Sequence, residues 1–263
     1  MNGRARIWFW LFVILSVVIF LAAAILPSVP QPLEYHQFAD RRVFLNVPNF
    51  LNVASNLALL ICGVAGLVFL LRSPAMLNRT TFIQLSERWP YIILFLSVVM
   101  TCVGSAYYHW APDNERLLWD RLPIATGITA LLAATLVERI SLKVGLRLLP
   151  WLLLFGIGSV IYWYWSEQQG AGNLNFYIVI QFYSLLLIIM LGIILPSRYT
   201  HGAVMYRVIG LYGIAKIAES LDREIYALSG VISGHTLKHL LGALAVYWIL
   251  RMLQRRCPVM AMR

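Results

Sequence analysis

The segment Leu174–Leu195, LNFYIVIQFYSLLLIIMLGIIL, runs for 22 residues without one charged side chain. A run of about 20 apolar residues is long enough to cross the hydrocarbon core of a bilayer as an α-helix. The rest of the chain shares this bias, because 60% of its 263 residues are hydrophobic and 12% are charged. Soluble domains have roughly 25% charged residues. The sequence therefore predicts an all-α integral membrane protein.

Apolar segments of this kind divide the whole chain. We expect an N-terminal transmembrane helix and an external loop over residues 1–48, followed by a seven-helix bundle over residues 49–263. Cleavage of the first segment as a signal peptide stays open, because Arg4 and Arg6 precede it and three alanines occupy positions 22–24. The eight predicted spans are Ile7–Leu26, Phe50–Leu71, Tyr91–Trp110, Leu122–Val137, Leu148–Trp165, Leu174–Leu195, Met205–Ile225 and His235–Leu253.

The basic residues indicate an orientation for these spans. With a cytoplasmic N-terminus, 14 of the 21 lysine and arginine residues lie in cytoplasmic segments and five lie on the opposite side. This distribution follows the positive-inside rule. It predicts that both termini are cytoplasmic. It also accounts for the net charge of +10 without a nucleic-acid partner.

Three of the five histidines indicate a metal site. His235 and His239 are spaced i, i+4, which places two imidazoles on one face of a helix. His109 lies at the end of the third span, and the predicted topology brings it to the same external membrane depth as the pair. Three histidines and one open position are typical of a catalytic zinc site. The sequence therefore predicts Zn²⁺ bound by His109, His235 and His239 on the periplasmic side.

Two further residues near this depth suggest chemistry at the metal. Ser105 lies one turn before His109 on the same helical face, from where its hydroxyl could donate to an oxyanion. Asp120 precedes the fourth span and could act as a general base or orient a ligand histidine. Structural alternatives stay open for both. Ser105 could pack or bond to its own helix, and Asp120 could be a helix N-cap with Pro123 in the first turn.

Polar residues inside predicted spans are rare and informative. Lys216, Glu219 and Asp222 recur along the seventh span and could line the site or an ion path. The alternative is helix–helix contact, with Glu219 paired to Lys216 or Lys238. A second polar face lies on the second span, where it could also line the site; it consists of Asn52, Ser55 and Asn56.

The combined motifs resemble those of the alkaline ceramidases and their bacterial relatives. These ceramidases belong to a superfamily of seven-helix membrane hydrolases that includes adiponectin receptors and haemolysin III proteins. The resemblance extends from about Asn49 to Leu253. The motifs that carry it are Gly104-Ser105-x-x-Tyr108-His109-x-x-Pro112, Leu118-Trp119-Asp120-Arg121-Leu122-Pro123 and Ser233-Gly234-His235-x-x-Lys238-His239.

The resemblance implies a seven-helix hydrolase bundle with an additional N-terminal helix. It also implies zinc on His109, His235 and His239, with Ser105 and Asp120 completing the catalytic set. The implied reaction is hydrolysis of the amide bond of ceramide or a related N-acyl lipid to a sphingoid base or other amine and a fatty acid.

One motif departs from the family, and two other functions stay open. Animal ceramidases of this type carry an acidic cluster that resembles a calcium site, whereas the stretch Val47–Asn52 has asparagine where we expect a glutamate. Regulation by Ca²⁺ is therefore not expected. The alternatives are a membrane receptor with a structural zinc site and an ion or proton transporter. A transporter is less favoured because the chain lacks recognisable repeats.

Overall fold

The computed structural model describes residues 3–72 and 81–259, and it is an all-α membrane bundle, as predicted. Arg79 and Arg263, which contribute to the predicted cytoplasmic charge, lie outside these residues. The external loop contains one short 3₁₀-helix, Leu33–His36. The helices are α1 Gly3–Ile25, α2 Phe50–Ala54, α3 Leu57–Leu70, α4 Trp89–Trp110, α5 Asn114–Arg139, α6 Leu142–Gln168, α7 Asn175–Ile178, α8 Ser184–Ile194, α9 Val204–Ser220, α10 Asp222–Ser229 and α11 Gly234–Arg255. A π-helical turn, Val179–Tyr183, joins α7 to α8.

Seven helical segments of the described chain are long and apolar enough to cross a membrane. Helix α1 lies outermost and is joined to the bundle by a hydrogen bond of 3.0 Å between Ser16 Oγ and Tyr183 Oη. Helix α5 is the most deeply buried of the seven, and it packs between α4 and α6. The seven segments are Arg6–Ile25, Phe50–Leu70, Leu85–Trp110, Asn114–Arg139, Leu142–Gln168, Asn175–Ile194 and Gly234–Arg255.

The predicted seventh span, Met205–Ile225, is not one helix. The structure divides it into α9 and α10, which meet at Leu221. The carboxylate of Asp222 accepts hydrogen bonds from the backbone N–H groups of Ala39 at 2.8 Å and His235 at 2.7 Å. These contacts fix the chain at the point where α9 ends. Helix α9 alone has 17 residues, which is at the short limit for a span, so its crossing of the membrane stays a prediction.

The interpretation of Asp120 as a helix N-cap is wrong. Helix α5 begins at Asn114, and its N-cap is Asp113, whose side chain accepts from the N–H of Arg116 at 2.7 Å. Pro123 therefore lies inside the helix rather than in its first turn. Asp120 occupies a buried position two turns along α5, where no free helix end requires a carboxylate.

Helices α4 and α5 approach each other closely at Gly104. A Cβ atom at this position would lie 2.1 Å from the carbonyl oxygen of Trp119. Pro123 has no N–H with which to bond this carbonyl four residues earlier. The glycine thus allows α4 to pack directly over a carbonyl that α5 cannot satisfy, and it brings the adjoining residues Ser105 and Asp120 to one interface.

We expect Gly104→Ala to force α4 and α5 apart. Overpacking typically lowers the free energy of unfolding by about 1–3 kcal/mol, and the neighbour here is backbone, which cannot rotate away. Thermal unfolding of the purified protein in detergent should show a lower Tm. The matched control is Gly158→Ala in α6, where a Cβ would meet nothing within 4 Å. An unchanged Tm for the Gly104 variant would contradict the close contact.

Candidate metal centre

The three predicted histidines meet inside the bundle, as the sequence analysis expects. His109 lies in the last turn of α4, whereas His235 and His239 lie in the first two turns of α11. The Nε2 atom of His109 is 3.2 Å from Nε2 of His235 and 3.3 Å from Nε2 of His239. All three side chains are buried. They form the one group of three or more metal-ligating residues found in the described part of the chain.

The spacing of these nitrogens fits a metal ion. Two imidazole nitrogens on the same tetrahedral zinc ion lie about 3.3 Å apart, given the usual Zn–N bond lengths. The two measured separations from His109 match this value. Three protein ligands also leave one tetrahedral position open, as in catalytic rather than closed structural sites. The cluster could therefore hold a metal ion with an open position.

Ser55 determines which nitrogen of His239 faces the cluster. The Ser55 hydroxyl donates to the carbonyl of Asn52 at 3.2 Å and lies 2.8 Å from Nδ1 of His239. With its proton directed to Asn52, the hydroxyl can accept from His239 when Nδ1 carries the hydrogen. The lone pair of His239 is then on Nε2 and points toward the other two imidazoles. Such partners fix the tautomer and orientation of metal-binding histidines.

The first turn of α11 is fixed by a set of polar contacts. Ser233 is its N-cap and accepts from the N–H of Thr236 at 3.1 Å. The Asn52 side-chain oxygen accepts from the Thr236 hydroxyl at 2.8 Å and from the Ser233 hydroxyl at 3.3 Å. Asn52 and Ser55 of the polar face predicted on the second span thus contact α11, and they hold the histidine pair in place.

Phe38 covers the histidines from the external loop. Its ring centroid lies 4.6 Å from that of His109 and 4.6 Å from that of His235, with edge-to-face geometry. Asn49, at the end of the same loop, donates to the backbone carbonyl of His109 at 2.8 Å. The Nδ1 atom of His109 is buried and has no hydrogen-bond partner among the described residues. The loop therefore covers the cluster on the side of Phe38 and Asn49.

Ser105 and Asp120 both lie beside the cluster. The Ser105 hydroxyl is 3.5 Å from Nε2 of His239. The buried carboxylate of Asp120 interacts with this hydroxyl and with the charge of Lys238. Asp120 and Ser105 line the same cavity as His239. The structure thus brings together all five residues that the sequence predicts, although the roles of Ser105 and Asp120 stay predictions.

This cavity has a volume of about 360 Å³ and continues from the histidines into the bundle. Its long walls are apolar and come from α4, α5, α8, α9 and α11. On α5 the lining runs from Asp120 to Leu131, which is about 16 Å along a helix axis. At the polar end His239 of the cluster lines the cavity, and the opposite end is formed by residues such as Leu94, Leu131 and Ile249.

Charged residues of α9 and α11 form ion pairs at the polar end of the cavity. Glu219 pairs with Lys216, and its other carboxylate oxygen lies 2.8 Å from the Lys238 ammonium group. The Tyr35 hydroxyl also donates to Glu219, at 3.1 Å. These contacts confirm the predicted pairing. All four residues line the cavity, whereas Asp222 acts separately as the anchor of the loop and of α11.

Comparisons with known proteins give no family assignment. A scan against models of protein families finds no match, and a search of curated proteins finds none either. The resemblance of the motifs to alkaline ceramidases therefore supports a proposed function and does not assign the chain to that family.

Sequence reasoning missed two residues of this site. Phe38 is an ordinary loop residue in the sequence, and its contacts with His109 and His235 depend on how the loop folds back. Arg121 follows Asp120 directly and also lines the cavity. Arg121 lies in the motif Leu118–Pro123, and this was the one sequence feature that pointed to it. A charged residue at the boundary of a predicted span is common, however, and does not by itself indicate a site.

We expect the purified protein to bind about one equivalent of zinc, and His235→Ala to lose it, because two imidazoles cannot form a three-histidine site. Ser55→Ala should retain all three ligands but bind the metal about 10–100-fold more weakly, since such a partner orients a ligand. Metal analysis and competition with a chelator measure both. The control is His201→Asn on an exposed loop. Full zinc binding by His235→Ala would contradict the assignment.

We expect His36 to make the loop that carries Phe38 sensitive to pH. Its Nδ1 accepts from the Tyr108 hydroxyl at 2.9 Å, and its Nε2–H donates to the Asn114 side-chain oxygen at 3.0 Å. Burial lowers the pKa of His36 below its usual value; the bond to Asn114 and the charge of Asp113 oppose this effect, and Arg121 adds to it.

Because the docked loop favours neutral His36, docking is complete above the usual pKa of about 6.5 and weakens as the pH falls through it. Hydrogen exchange of residues 33–40, corrected for the intrinsic rate, should therefore increase between pH 7.5 and 5.5. His36→Gln cannot titrate and should remove this dependence. Equal protection of the wild-type loop at both pH values would contradict the prediction.

Proposed function

We propose that this protein is a zinc-dependent integral membrane hydrolase that cleaves the amide bond of ceramide or a related N-acyl lipid. One water molecule adds across the amide, and the products are a free amine and a fatty acid. The observation that carries the proposal is the buried histidine cluster, whose member His239 lines a long apolar cavity together with Ser105 and Asp120. The motif resemblance to alkaline ceramidases supports the same reaction.

The shape and composition of the cavity favour a lipid chain. An extended acyl chain advances about 1.25 Å per carbon, from ordinary bond lengths and angles. A cavity about 16 Å long along α5 therefore accommodates a chain of about 13 carbons. The walls are aliphatic, and pockets of this kind place apolar groups against walls and orient the ligand with a few polar groups. The acyl carbonyl would lie at the polar end, beside the histidines.

Asp120 and Ser105 would each have a task in amide hydrolysis. Bound zinc would supply a Lewis acid for the carbonyl and would lower the pKa of a water molecule toward about 7. Asp120 is positioned to accept the proton of the attacking water and to return it to the departing nitrogen. Ser105 is positioned to donate its hydroxyl to the oxyanion that develops on the carbonyl. The cover of Phe38 excludes bulk water from these groups.

Calcium has no task in this proposal. Asn49 uses its side-chain nitrogen to hold the His109 carbonyl, and the Asn52 oxygen accepts from two hydroxyl groups of α11. Both asparagines are therefore engaged in positioning the histidines.

We further propose the bacterial inner membrane as the location, with cytoplasmic termini and the site toward the periplasm, because the basic residues follow the positive-inside rule.

A receptor with a structural zinc site and an ion or proton transporter remain the competing functions. A structural zinc site needs neither Ser105 nor Asp120, nor a cavity beside the metal. A transport path along α9 needs titratable groups that are free to exchange partners, whereas Glu219 is held by Lys216, Lys238 and Tyr35. Both considerations favour the hydrolase.

The deciding experiment measures zinc content and release of fatty acid from ceramides and other N-acyl lipids by the purified protein. Asp120→Asn should retain zinc and lose about 10²–10⁴-fold in turnover, the usual contribution of a general acid–base. The control Asp113→Asn alters a half-exposed carboxylate on the same helix and should retain turnover. Zinc without hydrolysis of any N-acyl lipid would overturn the proposal and favour the receptor.

A further inference from the structure

Arg121 is a buried cation without a carboxylate partner. Its residue is 5% exposed, and among the described residues it forms no ion pair within 4.0 Å. Arginine is almost never buried in this way unless it is paired. An unpaired buried charge is destabilising, so a fold that retains one has another use for it. Arg121 also lines the cavity beside the histidines.

Aromatic rings hold the guanidinium in place, and one of its terminal nitrogens has no hydrogen-bond partner among the described residues. The centre of the group lies 4.2 Å from the ring centroid of Trp163, 4.9 Å from that of Tyr177 and 5.4 Å from that of Tyr35. Its Nη2 donates to the Gln31 side-chain oxygen at 2.5 Å. Its Nη1 is buried and has no hydrogen-bond partner among the described residues. The group is thus oriented in advance, with donors available.

The neighbouring charges do not neutralise Arg121. Glu219 is shared between Lys216 and Lys238, and it makes no ion pair with Arg121. Asp120 interacts with the charge of Lys238 more strongly than with that of Arg121, accepts from Ser105, and forms no ion pair with Arg121 within 4.0 Å. The cavity wall therefore contains three cations and two carboxylates, all near its polar end. One positive charge is in excess there, before any metal ion is counted.

We propose that the lipid substrate carries an acidic group, a carboxylate or phosphate, on the amine side of its amide bond, and that Arg121 binds this group. The inference rests on the proposed function and specifies its substrate class. The acyl chain occupies the apolar length of the cavity, so the part beyond the amide nitrogen lies at the polar end. Arg121 adjoins Asp120 on α5, which places the acidic group close to the reacting bond. A guanidinium edge is well suited to such oxyanions.

Pairs of lipids that differ in a single group distinguish the effect of an acidic charge from the effect of molecular shape. N-palmitoylserine and N-palmitoylserinol differ in one group, a carboxylate against a hydroxymethyl, and N-palmitoylethanolamine with and without phosphate gives the second pair. Hydrolysis is measured on these amides. Binding to the zinc-loaded protein is measured on the corresponding N-hexadecylsulfonyl compounds, in which the sulfonamide resists hydrolysis. The variant is Arg121→Gln, and the control is Arg116→Gln on the same helix, which removes an ion pair with Asp113 outside the cavity.

We expect the wild type to bind the acidic member of at least one pair at least about tenfold more tightly than its neutral partner, as for a hydrogen bond to a charged group. The pair with the larger preference identifies carboxylate or phosphate. Arg121→Gln should abolish the preference and retain both zinc and affinity for the neutral compound, whereas Arg116→Gln should keep the preference. Arg121→Lys keeps the charge without the planar edge and should retain part of it.

Equal binding of acidic and neutral compounds by the wild type would overturn the inference, and this result does not depend on whether any variant folds. An undiminished preference in a folded Arg121→Gln protein would also overturn it. Failure of the proposed function looks different, because then no amide is hydrolysed while sulfonamide binding still reports on the acidic group. Hydrolysis of neutral lipids without a preference for acid would leave the hydrolase standing and remove this inference alone.

Discussion

The candidate site depends on helix contacts that only glycine permits. In the hydrocarbon core of a bilayer no water can bond to a backbone carbonyl, so the protein itself must satisfy or enclose each one. Gly104 packs over the Trp119 carbonyl, which Pro123 leaves without its helical partner. Gly234 packs in the same way over the Ala218 carbonyl near the end of α9, where helical carbonyls lose their partners. Each glycine directly precedes a residue of the site, so the close contacts that cover the backbone also bring the reactive side chains together.

The charged residues of the cavity wall differ in whether they form ion pairs. Groups of this kind are expensive in a membrane and are usually paired. Glu219 meets this requirement with two lysines, and its pair with Lys238 joins α9 to α11. Arg121 does not meet it. Glu219 and Lys238 thus connect two helices, whereas Arg121 is held by aromatic rings and lines the cavity.

Much of this site could be predicted because it depends on local spacing and membrane depth. The i, i+4 spacing places His235 and His239 on one face, and topology brings His109 to the same level. The start of α5 could not be predicted in this way, because Asp113 and Asp120 both lie before the apolar run that begins at Leu122, and only tertiary packing distinguishes the cap from the buried carboxylate. The break after α9 was missed for the same reason. It depends on Asp222 bonding to two distant backbone groups, which leaves no local pattern.

The buried carboxylate of Asp120 favours the proposed catalytic role over a structural one. A structural three-histidine site is complete with its imidazoles and their orienting partners, here Ser55 for His239. Asp120 caps no helix and forms no ion pair within 4.0 Å among the described residues. Burial of a carboxylate without an ion pair lowers the stability of the fold. Stability is commonly given up in this way at functional sites, and in this chain Asp120 and Arg121 are consecutive residues that line one cavity beside the histidines.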